Sequence, residues 1–480
     1  MQDQSPMDGA RDVSTAAPTS SDGGPAASQP ASAAPSFAEA FQVWAKIGII
    51  SFGGPAGQIA LMHRTLVDEK RWLDEPRFLN ALNFCMLLPG PEAMQLATYA
   101  GWRLHGVKGG LTAGLCFVLP GALVVLALSA IYALFGNVPL VEAAFVGIKA
   151  AVLAIVIGAL LKIAQRALKR GSDWVIAAAA FVAIFALAVP FPVIILAAAL
   201  FGFFRGIGTV KASDGAQGPA SKTPALALSD AASANPTWSD TVTTVVVWLA
   251  VWLVPLAVLA FALGPDHVLA QIGWFFSKLA VVTFGGAYAV LAYMAQEAVQ
   301  GYGWLKPGEM LDGLGLAETT PGPLILVTQF VGFLAGLRAE GGDAAWAMAL
   351  AAVVVTLWAT FAPCFLWIFA GAPYVERLND APRLKSALAG VTAAVVGVIL
   401  NLSVWFTLHV LFATVGEVEV GPFRLALPDL ATYDAVAVVL AAVALAAMFI
   451  AKRGVLTTLV ICAGAALVWH GLQGLGVLHG

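Results

Sequence analysis

Charge is what this sequence has least of. Of 480 residues only 11% are Asp, Glu, Lys or Arg, against 60% hydrophobic. Soluble domains carry about a quarter charged residues, so that class is excluded and the polytopic membrane class is indicated. A mean hydropathy of +0.86 agrees. The net charge of −3 and pI of about 6.1 supply no basic field, which excludes nucleic acid as a partner. Cysteine is scarce too. Cys85, Cys116, Cys364 and Cys462 stand singly in apolar segments, without metal spacing or a disulfide framework, and read as packing residues. The six histidines, His63 and His105 among them, form no cluster, so no metal or other cofactor is implied. The opening "MQDQSPMDGARDVSTAAPTSSDGGPAASQPASAAPS" lacks the basic start and apolar run of a signal peptide. Its composition cannot form a core, so residues 1–37 are expected to be a disordered tail. The first membrane segment is then its own insertion signal.

Long apolar runs are what the chain has in excess. A membrane span needs about 20 such residues. Spans are expected at 38–60, 78–104, 109–135, 140–168, 172–188 and 190–207. A flexible cytoplasmic linker at 208–240 and an extra connecting helix at 241–263 follow. Six further spans come at 268–295, 309–337, 345–371, 385–413, 432–451 and 454–472, before a C-terminal tail at 473–480. The expected fold class is therefore an all-α polytopic membrane protein of about 13 transmembrane helices in a lipid bilayer. Lys and Arg mark cytoplasmic loops. Lys162, Arg166, Lys169 and Arg170, then Arg205, Lys211 and Lys222, then Arg377, Arg383 and Lys385, and finally Lys452 and Arg453 put the N-terminus inside and the C-terminus outside. One loop disagrees, because the scheme puts Arg64, Lys70, Arg71 and Arg77 outside.

The chain repeats itself. "KIGIISFGGPAGQIAL" at 46–61 matches "KLAVVTFGGAYAVLAY" at 278–293. Phe52 and Phe284, Trp72 and Trp304, and Pro89 and Pro321 are each 232 residues apart; Pro120 and Pro363, and Gly147 and Gly390, are each 243 apart. Constant offsets mean duplication, into repeats at 38–207 and 264–472. Six spans per copy with one between place the copies in opposite orientations, the inverted-repeat plan of many secondary transporters.

Both copies break their helices at one place, "LLPGPEAMQL" (87–96) and "TTPGPLILVT" (319–328). Proline removes a donor and glycine weakens a helix, so Pro89 and Pro321 end one half-helix and Gly90 and Gly322 supply the turn. Pro91 and Pro323 suit the first position of the next. Each new N-terminus offers free N–H groups and a positive dipole end, a ready anion site at membrane depth. Thr319 and Thr320 add hydroxyls. A second pair of breaks lies at "SFGGP" and "TFGGA", where Ser51 and Thr283 precede Gly53, Gly54, Gly285 and Gly286. The bland reading is kinks for helix packing.

Ionisable residues at membrane depth point to function. Lys46 and Lys278 occupy equivalent positions six residues before Phe-Gly-Gly, and either snorkel to the interface or face the cavity. Glu92 either stabilises a half-helix N-terminus or carries a proton; its counterpart is Leu324. Glu318 is a second candidate for proton coupling. Gln95 and Gln329 are placed to hydrogen-bond an oxyanion or neighbouring helices. Lys149 lies deep in its span, with Thr392 as counterpart.

The duplicated "FGGP" and "LLPGP", with "EKRWLDEPRF" between them, resemble the chromate ion transporter family in its two-domain, long-chain form, over about residues 38–415. The resemblance implies a bacterial inner-membrane protein that exports chromate with the proton motive force as driver, lowering its cytoplasmic level. Residue chemistry by itself supports a carrier for a small oxyanion, with sulfate as competitor. A passive anion channel stays open, since broken helices also build selectivity filters. A membrane enzyme is excluded by the lack of a nucleophile–base set or metal motif. A homodimer is compatible with this architecture.

Overall fold

A computed structural model describes residues 35–209, 237–284, 287–342, 344–375, 381–421 and 423–475. The expected tail and most of the linker lie outside the described residues. The first repeat comprises α1 (Phe37–Ile49), α2 (Gly54–His63), α3 (Glu75–Leu87), α4 (Glu92–Phe135), α5 (Pro139–Ala167), α6 (Gly171–Phe185) and α7 (Phe191–Thr209). A connecting helix, α8 (Trp238–Leu263), follows. The second repeat holds α9 (Val268–Val282), α10 (Ala287–Gln296), α11 (Pro307–Thr319), α12 (Val327–Ala339), α13 (Ala344–Gly371), α14 (Pro382–Leu411), α15 (Ala435–Leu445) and α16 (Val455–Gly474). The predominance of helix follows from the solvent, because a lipid interior leaves backbone groups only each other to bond with. An antiparallel pair, β1 (Val415–Val420) and β2 (Phe423–Pro428), turns at Gly421 (φ 60°) after α14 and was not expected from the sequence.

Every expected span corresponds to helix, and four of them are hairpins. The segment 38–60 is α1 and α2, of 13 and 10 residues. At about 1.5 Å per residue each reaches roughly halfway through a bilayer. Their outer ends meet: Glu39 in the first turn of α1 pairs with Lys70 beyond α2 at 2.8 Å, and Trp44 packs on Trp72 at 6.3 Å. The segment 78–104 turns at its Pro-Gly-Pro between α3 and α4. Helix α4 breaks again at His105 and Gly106 (φ 60°), where His105 lies 2.9 Å from the carbonyl of Pro35. Arms 92–104 and 107–135 run back along each other. Only glycine permits that approach, since a Cβ on Gly101 would sit 2.6 Å from that of Ala113.

The second repeat repeats this at the other end of the molecule. Arg338, at the end of α12, pairs with Glu309 in the first turn of α11 at 2.6 Å and donates to the Trp304 carbonyl at 2.7 Å. Phe276 packs on Trp304 at 6.4 Å, as Trp44 does on Trp72. The arm 107–135 connects the two ends, running about 43 Å from the His105 turn toward Tyr132, which reaches Asp312 in α11. The hairpins of the two repeats thus enter from opposite ends. This is the inverted arrangement. It also differs from the sequence expectation at residues 61–77: because 38–60 turns back, that loop shares the end where α1 starts.

Around the hairpins stands a scaffold in which the repeats exchange partners. Helix α14 packs along α6 and α7, while α5 packs along α15 and α16. Gly147 and Gly390, equivalent by sequence, face the backbone at Cys462 and at Ala198 in these crossings. Helix α8 lies outside the bundle. Trp252 is buried there, with its indole N–H on Ser277 at 3.1 Å, while Phe261 is 94% exposed as a lipid-facing side chain should be.

The hairpins predict a labelling pattern. In a background without native cysteines, Glu69→Cys should be shielded from an impermeant thiol reagent in intact cells and Lys306→Cys should react. Single crossings at 38–60 and 268–295 would give the reverse.

Candidate substrate site at the crossing of the hairpin tips

The four tips meet in the interior and bond across the repeats. Gly90 N–H donates to the carbonyl of Thr283 at 2.8 Å, and Gly322 N–H donates to that of Ser51 at 2.9 Å. The second bond is the first moved on by one repeat. Each Pro-Gly-Pro turn of one copy thus rests on the Phe-Gly-Gly break of the other. Gly90 and Gly322 hold φ of 119° and 86°, which side-chain-bearing residues rarely adopt. Space is also closed: a Cβ on Gly90 would lie 3.0 Å from Cys364 Sγ, and one on Gly121 would strike the Pro321 carbonyl. Cys364 and Gly121 are themselves equivalent positions.

Gln58, fully buried, bridges the crossing. Its Nε2 donates to the Gly322 carbonyl at 2.6 Å and approaches that of Ser51 at 3.3 Å. Beside it a cavity is lined by Pro55, Gln58, Gly90, Pro91, Glu92 and Ala93 of the first repeat and Pro323, Leu324 and Ile325 of the second. The N-terminus of α4 and the 3-10 turn Leu324–Leu326 that leads into α12 both open on it. Two helix starts of opposite direction therefore present free N–H groups to one point. The cavity holds about 20 Å³, room for roughly one water.

The structure distributes the sequence candidates unevenly. Pro89, Gly90, Pro91, Pro321, Gly322, Pro323, Ser51 and Thr283 gather at the crossing, and Glu92 faces the cavity from the first turn of α4. Gly53 and Gly54 form the α1–α2 turn with φ of 88° and 70°. Gly285 and Gly286 lie outside the described residues. Gln95 donates to the Pro89 carbonyl at 2.7 Å and Gln329 to that of Ala122 at 2.8 Å. Thr319 and Thr320 turn their hydroxyls back onto the carbonyls of Leu316 and Ala317. Glu318 accepts from the Tyr288 hydroxyl at 2.5 Å. Lys46 is exposed and Lys278 half-buried; neither lines the cavity, and neither has an acidic partner within 4 Å among the described residues.

Sequence reasoning missed Gln58 and Asp312. A buried glutamine four residues past a helix break has no period to expose it. Asp312, 3% exposed in the half-helix before the second Pro-Gly-Pro, did carry a signal, as an acid at membrane depth.

Two inverted repeats whose broken helices cross at a central cavity define a membrane transporter of the inverted-repeat class. The chain belongs to the chromate transporter family, whose model matches residues 38–203 and 270–469, one stretch in each repeat. It is 33% identical to the chromate transport protein of Pseudomonas aeruginosa, over 76% of this chain and 79% of that protein. It is 30% identical to the chromate transport protein of Cupriavidus metallidurans, over 74% and 78%. An uncharacterized transporter of Methanocaldococcus jannaschii is 24% identical over 78% and 86%. No solved structure matches the chain.

Removing the Gln58 bridge leaves the buried Gly322 carbonyl short of this donor, at roughly 1–3 kcal/mol. Gln58→Leu should therefore lower the melting temperature of the purified protein in detergent, whereas Gln42→Leu, at an exposed position in α1, should change it little. Equal melting of Gln58→Leu and wild type would mean that the bridge contributes nothing.

Proposed function

We propose that this protein exports chromate from the cytoplasm of a bacterial cell across its inner membrane, with the proton motive force as driver, and so confers chromate resistance. The observation that carries this reading is the pair of opposed half-helix N-termini at one cavity. On this reading it is an anion site reached in turn from either side, in a chain some of whose relatives are named for chromate transport. The end holding residues 64–77, 105–108 and 162–170 is the cytoplasmic one, because Lys and Arg concentrate there. With that orientation an interior-negative potential already favours export of a dianion, by about 4.6 kcal/mol per 100 mV.

The roles divide as follows. Backbone N–H groups after Pro91 and Pro323 bind the oxyanion, with Gly90, Gly322, Gly53, Gly54, Gly285 and Gly286 permitting the close approach. Ser51, Thr283, Thr319, Thr320, Gln95 and Gln329 fix the surrounding backbone. Lys46 and Lys278 supply positive potential from the helices that enter the crossing, since helix dipoles alone do not replace the hydration of a dianion. Glu92 competes with the oxyanion for the same N–H groups, which couples its proton to anion occupancy; Glu318 is a second carrier.

Uptake of chromate into inside-out vesicles is the test. Gly90→Leu and Gly322→Leu should abolish saturable uptake while the protein stays in the membrane; full transport by both would make the turns packing kinks. Lys46→Gln and Lys278→Gln should each weaken uptake, and the Arg replacements should retain part of it. Normal flux in both Gln variants would reduce the lysines to interfacial anchors. Sulfate flux equal to chromate flux would broaden the substrate to tetrahedral dianions, and non-saturable flux would indicate a channel.

A further inference from the structure

A second polar hollow lies away from the tips, at the end where the hairpins of the second repeat begin. Adjoining cavities of about 250 and 190 Å³ share Tyr132, Asn137 and Glu309 in their walls. There α5 of the first repeat faces α11 of the second, and Lys149 Nζ stands 3.5 Å from Asp312 Oδ1. That is ion-pair range but not hydrogen-bond length. Tyr132 donates its hydroxyl to Asp312 Oδ2 at 2.9 Å, while the buried Oδ1 has no hydrogen-bond partner. The lysine is looser than the acid: its side chain is 27% exposed, and Gly308 leaves it room, since a Cβ there would lie 3.1 Å from Nζ. Glu142 and Lys306 complete the wall, and Glu309 is held by Arg338. Three acids and three bases cancel, so the hollow is near neutral although it is densely charged.

The duplication makes this cluster informative. Neither member of the pair is repeated, since Thr392 stands at the position of Lys149 and Asn80 at that of Asp312. A strut required by the fold would be expected in both copies, as the glycines and tryptophans are. The pair also joins the two parts that must move relative to each other, a hairpin of one repeat and a scaffold helix of the other.

We infer that Lys149 is an oxyanion subsite on the non-cytoplasmic side, and that Asp312 is the counter-charge that keeps its hold weak. This rests on the oxyanion transport proposed above. A lone lysine in a recess would retain a dianion, whereas transport needs binding weak enough to release. A carboxylate that contacts the ammonium without a hydrogen bond, and is anchored separately by Tyr132, yields the lysine to an arriving oxyanion and reclaims it on departure. The ligand is a small tetrahedral dianion, and the subsite is its last stop on export.

The test is chromate exchange in right-side-out vesicles preloaded with chromate, read as external half-saturation, with inside-out vesicles as the comparison. Lys149→Gln should raise the external value about tenfold, the loss of one charge-assisted contact. Asp312→Asn should lower it several-fold and slow maximal exchange. The half-saturation at the cytoplasmic face should change little in either. The charge-balanced double variant, which leaves no unpaired buried ion, should resemble Lys149→Gln. Shifts of the two single variants in one direction, or a double variant with the wild-type external value, would overturn the subsite and leave a structural ion pair. Wild-type vesicles without saturable chromate exchange would instead remove the transport reading itself, and this inference with it.

Discussion

The fold hangs on two backbone hydrogen bonds, from Gly90 to Thr283 and from Gly322 to Ser51. A helix that breaks inside a bilayer strands several N–H and C=O groups where no lipid can satisfy them. Each repeat has two such breaks and cannot mend them alone. The partner's break is the nearest source of complementary groups, so the turn of one copy is closed by the carbonyl of the other. Gln58 supplies a further donor at the same place. Duplication is thus more than the history of the chain; it is how irregular backbone at this depth becomes tolerable.

Much of this is legible in the sequence. The constant offsets, the paired Pro-Gly-Pro turns and the apolar runs fixed the membrane class, the repeat and the location of the breaks, because proline and glycine act locally. The hairpins were not legible. A run of about 23 apolar residues crosses a bilayer once or goes halfway in and back, and composition is identical in the two cases. The basic loop at 61–77 was the trace of the second possibility, since four cations on the outer side contradict the charge rule. Which break pairs with which also depends on tertiary placement. Lys46 and Lys278, conspicuous for their equivalence, stand away from the cavity, while Gln58 lines it and has Val290 as its unremarked counterpart.

A division of labour follows. What is symmetric is backbone and packing: the turns, the glycines at helix crossings, the tryptophans beneath the outer ends. Apart from the paired Lys46 and Lys278 and the hydroxyls of Ser51 and Thr283, what is asymmetric is chemistry. Glu92 corresponds in the repeat to Leu324, Gln95 to Val327, Gln58 to Val290, Lys149 to Thr392 and Asp312 to Asn80. An inverted repeat with identical chemistry in both copies would present like surroundings to an anion arriving from either side. Polar groups confined to one copy give the two vestibules different electrostatics around a cavity whose geometry is shared.

The hydrogen bonds at the crossing also limit how such a molecule can move. Pulling the tips apart would expose unpaired backbone groups in a low-dielectric medium, at roughly 1–3 kcal/mol each. Keeping the tips joined and sliding the scaffold past them costs only side-chain contacts, which re-form against new neighbours. Access to the cavity is then governed where hairpin meets scaffold, on either side of the crossing. On one side α11 is tied to α5 by Lys149 and Asp312. On the other, the equivalent positions Asn80 and Thr392 carry no opposite charges. On the subsite reading, rocking works against the Lys149–Asp312 ion pair on that side, and an anion that draws Lys149 to itself releases that catch as it leaves.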